Sequence, residues 1–535
     1  MSLWNAKEVR TPATDSTRVG ASSVLAVMLA CAVGGSSAQA ENLPNALAKA
    51  YYNNPNLNAS RGNVRSADEN IPIAESGYLP QVQGSADVGF EHAESSGGAG
   101  ISTSTGIGTG GTGAGGTGTG GTTGGTGTGG IGTGTGGTGT GGSGIGGSGI
   151  GNGTSTTTSG GASGISNTVP RGAGIQVTQT LFDGLRTPNR VRSAESNVFS
   201  VRESLRNTEQ SVLQSGAQAY MDVLRDTAVL DLRASNIKVL QEQLRQTQDR
   251  FKVGEVTRTD VAQAEASLAG SQADFYAAQS NLQNSIASFR QVIGEQPTRL
   301  EPTKPLERFV PTSLENAIAI SQAEHPSIQS ALHSVDVQAL QVKIAEGALY
   351  PTVSVTGSAQ QRYDVQSVPG TSAFVGSVVG SVSVPIYDGG QSYGLIRQAK
   401  EQLGVAQFQA DVSRDNVRAA VISAWGLLVS SKAAVQADQA QVNAAEIALN
   451  GTREEARVGQ RTTLDVLNAQ QTLLNARVSL VGAQRDRVVA SYSILASCGR
   501  LSASALGLRL QPYNPVVHFD QVKDKWWGLR TPDGR

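Results

Sequence analysis

Two Thr-x-x-Asp segments hold the side chains whose types and spacing could do chemistry in this chain. Thr257 stands three positions before Asp260, and Thr462 stands three positions before Asp465. Such a pair can form a capping box, in which the hydroxyl and the carboxylate bond to free backbone N–H groups at the start of a helix, here with Asp in place of Glu. A carboxylate in that position stabilises the helix by up to about 1 kcal/mol. The pattern therefore predicts that a helix begins at each segment.

Sequence patterns for catalysis and for cofactors are missing. His92, His325 and His333 are scattered without metal-ligand spacing, no nucleophile lies in a motif with a base, and the many glycines precede no P-loop lysine. The 42 Lys and Arg residues almost balance the 43 Asp and Glu residues, so no basic surface for nucleic acid is indicated. The sequence predicts a protein that is not an enzyme, carries no cofactor or metal and binds no nucleic acid.

The two Thr-x-x-Asp segments occupy equivalent places in a duplicated unit. Asp465 follows Asp260 by 205 positions, whereas Tyr350 follows its counterpart Leu79 by 271. A tract rich in Gly, Thr and Ser lies between the two regions of constant spacing in the first copy, and the difference of 66 is the size of this insertion. Such fixed self-similarity predicts two unequal copies of one unit.

Each copy contains two segments in which apolar and polar residues alternate. They lie at about 81–90 and 175–181 in the first copy and at about 352–359 and 374–384 in the second. About ten residues is the length that a tilted strand needs to cross a bilayer. Four strands cannot close a barrel, which needs about eight or more, and open strand edges are not tolerated in lipid. Three chains would supply twelve strands.

Long helices are predicted after each pair of strands. The residues from about 189 to 251 and from about 393 to 457 contain no proline, and at about 1.5 Å per residue each run would reach about 90 Å. A Val-Gly pair follows each run, as is typical of a helix end. Return helices are expected to finish near Ile293 and Ser497, and shorter helices to precede each strand pair at about 45–75 and 314–346.

The first 40 residues are expected to be a secretory signal peptide. Basic residues precede a short apolar run, and an Ala-x-Ala sequence ends at Ala40, where cleavage is predicted. The alternative is an imperfect lipoprotein cleavage box at 28–31, which would make Cys31 a lipidated N-terminus. Beyond residue 40 no uninterrupted apolar run of about 18 residues occurs, so no transmembrane helix is expected.

These features define the predicted organisation of the chain. The signal peptide at 1–40 precedes a first repeat at 41–294, a Pro-rich linker at 295–312 expected to be an extended tether, a second repeat at 313–500 and a C-terminal tail at 501–535 without an assigned role. The glycine-rich insertion, at about 95–170, is expected to be a cell-surface loop, and its composition is typical of disorder.

The order of these elements resembles that of the TolC-type outer-membrane efflux family. The segment 458–470, VGQRTTLDVLNAQ, is similar to the family's periplasmic-tip motif, and the Tyr-Leu-Pro start of the first strand and the Leu-Phe-Asp-Gly end of its return strand are also typical. The resemblance runs from about Glu41 to Leu501. It implies an α+β membrane protein, a homotrimer with a twelve-stranded transmembrane β-barrel that continues as a long periplasmic α-helical barrel.

The resemblance also implies function, partners and site residues. The chain would be a passive outer-membrane exit duct for tripartite efflux or type I secretion, with outer-membrane lipid around it and a periplasmic adaptor and an inner-membrane transporter as partners. Arg461 would be a gate residue, Thr259 and Asp260 its partners, and Asp465 part of an acidic ring. Two departures from the family pattern, Asn468 for a second Asp and Ala456 for a gate Tyr, imply a looser gate with one carboxylate ring fewer.

Two other functions compete with the exit duct. The glycine-rich insertion would suit a structural or adhesive surface protein without a transport role. A periplasmic adaptor also has a helical hairpin, but it would have one such hairpin and a soluble β-domain, whereas this sequence predicts two. Helix capping alone would explain Asp260 and Asp465, and a solvated turn would explain Arg461.

Overall fold

The computed structural model describes residues 41–95, 164–365 and 369–534. The signal peptide and most of the glycine-rich insertion therefore lie outside the described residues. The helices are α1 (Leu43–Asn53), α2 (Pro55–Asp68), α3 (Asn70–Glu75), α4 (Arg186–Lys252), α5 (Arg258–Ile293), α6 (Leu314–Glu324), α7 (Pro326–Glu346), α8 (Gln391–Arg457), α9 (Thr463–Ser497) and α10 (Pro515–Val522). The strands are β1 (Gln81–Val88), β2 (Glu91–Ser95), β3 (Gly164–Thr168), β4 (Arg171–Phe182), β5 (Thr352–Tyr363) and β6 (Ser372–Ser383).

The chain divides into two units, which we describe separately. The helical unit comprises the described parts of Met1–Tyr78, Phe182–Thr352 and Ser383–Arg535. The strand unit comprises those of Leu79–Leu181 and Val353–Val382.

The helical unit is built on two long helices of equal length. Helices α4 and α8 each have 67 residues, about 100 Å at the rise of an α-helix. Their return helices α5 and α9 have 36 and 35 residues. All four begin and end within about three residues of the bounds predicted from the sequence.

Aspartates start both long helices. Asp183 Oδ1 accepts a hydrogen bond from Arg186 N at 3.0 Å, and its Oδ2 accepts one from Thr187 N at 2.7 Å. In the second half, Asp388 Oδ2 accepts from Ser392 N at 2.8 Å. Capping by Asp offsets the unpaired N–H groups of a helix's first turn. This gives a physical reason for the Phe-Asp-Gly and Tyr-Asp-Gly sequences after the strands.

The main apolar core lies where the short helices pack against the long ones. Helices α1, α2, α4, α5 and α9 all contribute, and the fully buried members include Leu47, Leu213, Tyr220 and Phe289. A second core joins α6, α7, α8 and α9, and a third lies between the distal halves of α8 and α9. The short helices thus pack against one part of the long helices, and the helical hairpins extend past this contact toward their turns.

The linker at 295–312, expected to be an extended tether, makes hydrogen bonds with the rest of the helical unit. Leu300 forms a parallel β-bridge with Glu41, and Glu301 N donates to Glu41 O at 3.0 Å. Leu306 N donates to Ser491 Oγ of α9 at 3.1 Å. The linker is extended as expected, but it is packed against the helices, because its backbone groups find partners there.

The C-terminal tail also packs on the helical unit. Tyr513 N donates to Tyr51 Oη at 2.9 Å, and α10 places Phe519 against the buried side chains of α2, α3 and α4. His518 Nδ1 lies 3.0 Å from the fully buried Asp68 carboxylate. Of the two choices that the sequence left open for the tail, fraying and packing, packing is found. Side chains are buried up to Val522, and Asp533 pairs with Arg65 of α2 at 3.4 Å, whereas Trp526 and Trp527 are exposed.

The strand unit contains a four-stranded sheet in the order β1-β4-β5-β6. Strands β1 and β4 are antiparallel, with Gln81 opposite Thr178, Val82 opposite Val177 and Asp87 opposite Gly172. Because neighbouring positions point to opposite faces, this register places polar residues opposite polar ones or glycine and apolar residues opposite apolar ones or glycine, except that Val88 opposes Arg171. The sheet follows the predicted alternation with one mostly polar and one mostly apolar face, and Val375 and Val379 of β6 lie on the polar face beside Ser377 and Ser381.

Hydrogen bonds extend the polar face across the second hairpin. Ser354 and Ser381 are joined at 2.8 Å, and Ser358 and Ser377 at 2.9 Å. The opposite face presents apolar side chains that are largely exposed, among them Val82, Ile175, Phe374, Val378 and Val382. A sheet with an exposed apolar face needs an apolar environment or further protein to cover it.

Two features differ in detail from the sequence-based expectations. Strands β2 and β3 pair antiparallel, so the first hairpin extends into residues 164–168, which were expected to belong to the loop. Among the described residues, α8 contains an 18-residue stretch that is apolar enough to cross a membrane by length and composition. One such stretch is weak evidence for a membrane helix, and Val417, Val421 and Leu428 within α8 pack in the second core.

Candidate gate at the helical tips

The turn between α4 and α5, the first tip turn (253–257), ends one helix and starts the next within a few residues. Gly254 has φ +79°, a conformation that favours glycine, and Glu255 N donates to Arg250 O at 2.9 Å. Thr257 Oγ1 accepts from Asp260 N at 3.3 Å, while Asp260 Oδ2 accepts from Thr257 N at 2.9 Å. The capping box predicted for this segment is confirmed.

The turn between α8 and α9, the second tip turn (458–462), repeats this geometry. Gly459 also has φ +79°, and Gln460 N donates to Glu455 O at 2.9 Å. Asp465 Oδ2 accepts from Thr462 N at 3.0 Å and from Thr462 Oγ1 at 2.8 Å. The second capping box is likewise confirmed.

The capping bonds act on the charge of both carboxylates. The hydroxyl and backbone N–H of Thr257 lower the pKa of Asp260 from its ordinary 3.8. For Asp465 the backbone N–H of Thr462 contributes most to a lowered pKa, with help from its hydroxyl and from Arg461. A hydrogen bond to the charged form favours that form. Both groups are therefore negatively charged at neutral pH.

Arg461 lies in the second tip turn and bonds to a residue that the sequence analysis did not select. Its Nε donates to Glu455 Oε2 at 2.9 Å, and this bond raises the pKa of the guanidinium. Within the part of this chain that the structure describes, Arg461 makes no hydrogen bond or ion pair with Thr259 or Asp260. Thr259 lies exposed in the first turn of α5.

Each tip turn has an ion pair, but the cation precedes the anion along the chain in the first pair and follows it in the second. In the first, Arg250 Nε donates to Glu255 Oε2 at 2.9 Å. Glu455 stands 205 positions after Arg250, so the position that carries a cation in one half carries an anion in the other. The constant spacing of the two copies would have revealed Glu455 as the equivalent of a charged tip residue.

Polar side chains also join the two hairpins, 17 residues before the first tip turn in α4 and eight residues after the second tip turn in α9. The buried Asn236 of α4 donates from Nδ2 to Ser271 Oγ of α5 at 3.2 Å, and its Oδ1 accepts from Gln470 Nε2 of α9 at 3.4 Å. A groove of about 300 Å³ lies beside this contact, with Asp274 and Asn468 in its lining. Neither hairpin is therefore free to move here without breaking hydrogen bonds.

The described residues include no group of three or more His, Cys, Asp or Glu side chains placed to hold a metal ion. Cys498 is buried, and burial raises the pKa of its thiol to about 11. Its sulfur is therefore protonated and unreactive at neutral pH.

The sequence matches a known family over both halves. The model for "Outer membrane efflux protein" aligns with residues 145–295 and 317–500. Outer membrane efflux protein BepC of Brucella suis is 40% identical over 501 residues, which are 94% of this chain and 94% of BepC. Outer membrane protein TolC of Escherichia coli is 28% identical over 360 residues, covering 64% of this chain and 72% of TolC.

The fold leads to the same family. The Campylobacter jejuni CmeC outer membrane channel superposes with a TM-score of 0.67 at 16% identity, covering 91% of this chain and 90% of that one. The overall fold is thus shared with solved outer membrane channels. This chain belongs to the outer membrane efflux protein family, and it is a TolC-type channel protein of the outer membrane that extends into the periplasm.

Proposed function

We propose that three copies of this chain form one closed exit duct with a twelve-stranded barrel. The four-stranded sheet ends in two edge strands, β1 and β6, and unpaired strand edges are not tolerated in hydrocarbon. Pairing of β6 in one copy with β1 in the next would remove every edge. The single observation that carries this proposal is the open, apolar-faced sheet.

The helical unit supports the same assembly. Helix α8 exposes Val405, Phe408 and Val412, spaced so that they lie on one face of the helix. Phe408 is 73% exposed. A stripe of this kind is expected to pack against a neighbouring helix, and α8 lies at the edge of this chain's helical layer, beside α9 and α7. The neighbouring helix would belong to another subunit of the trimer.

The duplication within the chain, with repeats at 41–294 and 313–500, indicates where neighbouring subunits of the trimer would meet. Where β4 leads into α4, Gly184 lies so close to Gly347 that any side chain on it would collide with the Gly347 carbonyl oxygen. Gly389 is the equivalent of Gly184, yet nothing lies within 4 Å of the place where its side chain would be. The equivalent of Gly347, 271 positions earlier, is Ser76. Ser76 of a neighbouring subunit would therefore fill the space beside Gly389.

Disulfide cross-linking tests this interface. Since Arg186 touches Gly347 within the chain, the equivalent residues Gln391 and Ser76 should meet between copies. The double variant Ser76→Cys/Gln391→Cys should give cross-linked dimers and trimers on a non-reducing gel, because the geometry of a disulfide requires close Cβ atoms. Each single variant is the control, and the buried native Cys498 should not react. Monomer alone from inserted, conducting protein would refute the proposed interface.

We place the gate of this duct at the tip turns. Asp260 and Asp465 are ionised there, Thr259 is exposed beside Asp260, and Arg461 remains 54% exposed although it pairs with Glu455. In a closed trimer Arg461 would bind Thr259 and Asp260, and the three Asp465 side chains would form an acidic ring. The capping roles of the two aspartates are compatible with this, since capping uses one carboxylate oxygen of each.

Substitutions at Arg461 and Glu455 test the gate with opposite expectations. Arg461→Gln removes the cation that would hold the tips together, so single-channel conductance should rise. Glu455→Gln releases Arg461 from its own turn and should leave conductance unchanged or lower. Arg457→Gln, which breaks an exposed Arg457–Glu454 pair one turn away, is the matched control and should have no effect. Equal conductance for Arg461→Gln and the unaltered protein would place the gate elsewhere.

The duct would act with other proteins and without chemistry of its own. A periplasmic adaptor and an inner-membrane transporter would supply cargo and energy, for tripartite efflux or for type I secretion, while this chain provides a passive path. Deleting the gene and measuring both drug tolerance and the export of a secreted protein would separate the two kinds of cargo. Loss of neither would argue against an exit duct.

A further inference from the structure

Arg362 is a charged residue of the sheet that the exit duct does not yet explain. It is the penultimate residue of β5, and its guanidinium Nη2 lies 3.9 Å from Asp87 Oδ1 of β1. Strand β4 runs between β1 and β5. The Arg362 side chain therefore crosses β4 to reach the carboxylate.

Two glycines of β4 make this crossing feasible. A Cβ atom at Gly172 would lie 3.2 Å from Arg362 Cγ and 3.2 Å from Asp87 Oδ1, and one at Gly174 would lie 3.1 Å from Gln360 Cγ. These distances are tighter than ordinary side-chain contacts. The absence of side chains at Gly172 and Gly174 lets Arg362 and Gln360 lie flat across the strand.

Gln360 holds the guanidinium in this position. With its amide oxygen facing Arg362, Gln360 accepts hydrogen bonds from Nε at 2.9 Å and from Nη2 at 3.2 Å. Arg362 and Asp87 nevertheless remain 55% and 56% exposed. The sheet thus fixes the positions of both charges, while both side chains remain accessible to solvent and ions.

The cluster lies on the polar face of the sheet. Asp87 opposes Gly172 in the register, on the same side as Gln83 and Gln176. Gln360 and Arg362 alternate in step with Ser354 and Ser358, whose hydroxyls bond across to β6. The next position along, where Arg171 opposes Val88, points to the apolar face.

We propose that Arg362, with Asp87 and Gln360, forms a charged ring in the lumen of the barrel that sets how readily ions and charged cargo pass. This inference rests on the proposed trimeric barrel, whose lumen would receive the polar face while the apolar face meets lipid. One cation and one anion from each subunit balance the ring. Since Asp87 and Arg362 lie at the ends of β1 and β5 that lead into the loops of the two hairpins, the ring would belong to the outer part of the proposed barrel.

Reversal potentials in a salt gradient test this proposal. Charges in a water-filled pore are screened within about 8 Å at 0.15 M salt but only within about 30 Å at 0.01 M, so the dilute side should be near 0.01 M. Arg362→Gln leaves the carboxylates unbalanced and should raise the cation-to-anion permeability ratio by about two- to fivefold. Asp87→Asn should lower it by a similar factor. Gly172→Ala, which displaces the Arg362 side chain, should give a smaller shift.

Arg171→Gln is the matched control. It removes the same charge from the same end of the sheet, but from the apolar face, where the Arg171 guanidinium lies 5.4 Å from the centre of the Tyr363 ring. Its permeability ratio should equal that of the unaltered protein. Conducting channels in which neither Arg362→Gln nor Asp87→Asn changes the ratio would overturn the ring, and a shift with Arg171→Gln alone would reverse the face assignment. A total lack of conductance in the unaltered protein would instead overturn the duct itself.

Discussion

Tyr220 Oη lies 2.7 Å from the carbonyl oxygen of Glu301, so a buried side chain of α4 holds the linker between the two halves of the chain. The same hydroxyl lies 2.7 Å from the carbonyl oxygen of Glu41 and accepts a hydrogen bond from Glu301 N at 3.0 Å. Burial raises the pKa of Tyr220 to about 12, so it keeps its proton as a donor at any physiological pH. One phenol thus joins three separate stretches of sequence.

Replacing Tyr220 by Phe should destabilise the helical unit. The change leaves buried backbone groups without their partner, which typically costs about 1–3 kcal/mol. The thermal midpoint followed by circular dichroism should fall. Tyr276→Phe, at an exposed position of α5, is the matched control and should leave the midpoint unchanged. Equal midpoints for the two variants would show that the linker is held by its apolar contacts instead.

Replacing Asp465 by Ala should lower the cation selectivity of the channel, because a ring of carboxylates in a narrow pore favours cations. Asp465→Glu keeps the charge and should retain the selectivity. Asn468→Asp adds a carboxylate one turn further along α9 and should increase it. Reversal potentials of single channels distinguish these outcomes, and identical values for all four proteins would remove Asp465 from the ion path.

The capping boxes should resist acid to below the ordinary pKa of aspartate, 3.8. Because the folded-state pKa values of Asp260 and Asp465 are lowered from 3.8, the stability that they contribute is fully present above that pH and is lost as the pH falls through the lower folded values. The protection of the tip amides, measured relative to the intrinsic exchange rate at each pH, should be equal at pH 7 and pH 5 and should decrease below pH 3.8. In a variant with Asn at both positions this acid-dependent step should disappear, and if it persists, other groups cause it.

Loss of the buried Asp68 carboxylate should release the C-terminal tail. Asp68 Oδ1 lies 3.3 Å from Arg202 Nη2, and Oδ2 lies 3.0 Å from His518 Nδ1. Removing one partner from a buried charged cluster typically costs about 3–5 kcal/mol. Asp68→Ala should therefore make the tail much more sensitive to trypsin, with new cleavage after Lys523.

The matched control for the tail is Asp520→Ala, which breaks an exposed pair with Lys523 in α10. It should leave the rate of tail cleavage unchanged, since exposed ion pairs contribute little. A tail that is equally resistant in Asp68→Ala would show that Phe519 and Val522 suffice to hold it.

Local patterns in the sequence predicted most of the helices and strands. The absence of proline set the length of α4 and α8, the Val-Gly pairs marked their ends, and Thr-x-x-Asp marked the starts of α5 and α9, because these signals act between residues a few positions apart. The alternation of polar and apolar residues predicted the two faces of the sheet for the same reason.

Contacts between distant residues could not be predicted in this way. Tyr220 meets Glu301 across 81 positions and Asp68 meets His518 across 450, and no local rule pairs them. At the candidate gate, the Thr-x-x-Asp spacing predicted the capping roles of the two aspartates, whereas their gate roles came only from the family resemblance. Glu455, the partner of Arg461, was missed because the charged positions of the two repeats were not compared. The order of strands in the sheet, with β4 between β1 and β5, likewise depends on long-range pairing.

The exposed apolar face of the sheet has a consequence for biogenesis. Val82, Val378 and Phe374 would all contact water in a newly exported chain, and the free edges of β1 and β6 would offer templates for aggregation. A single chain in this state would aggregate in an aqueous compartment. We expect its delivery to the bilayer to depend on a protein that covers this face, either a holding chaperone or another copy of the chain.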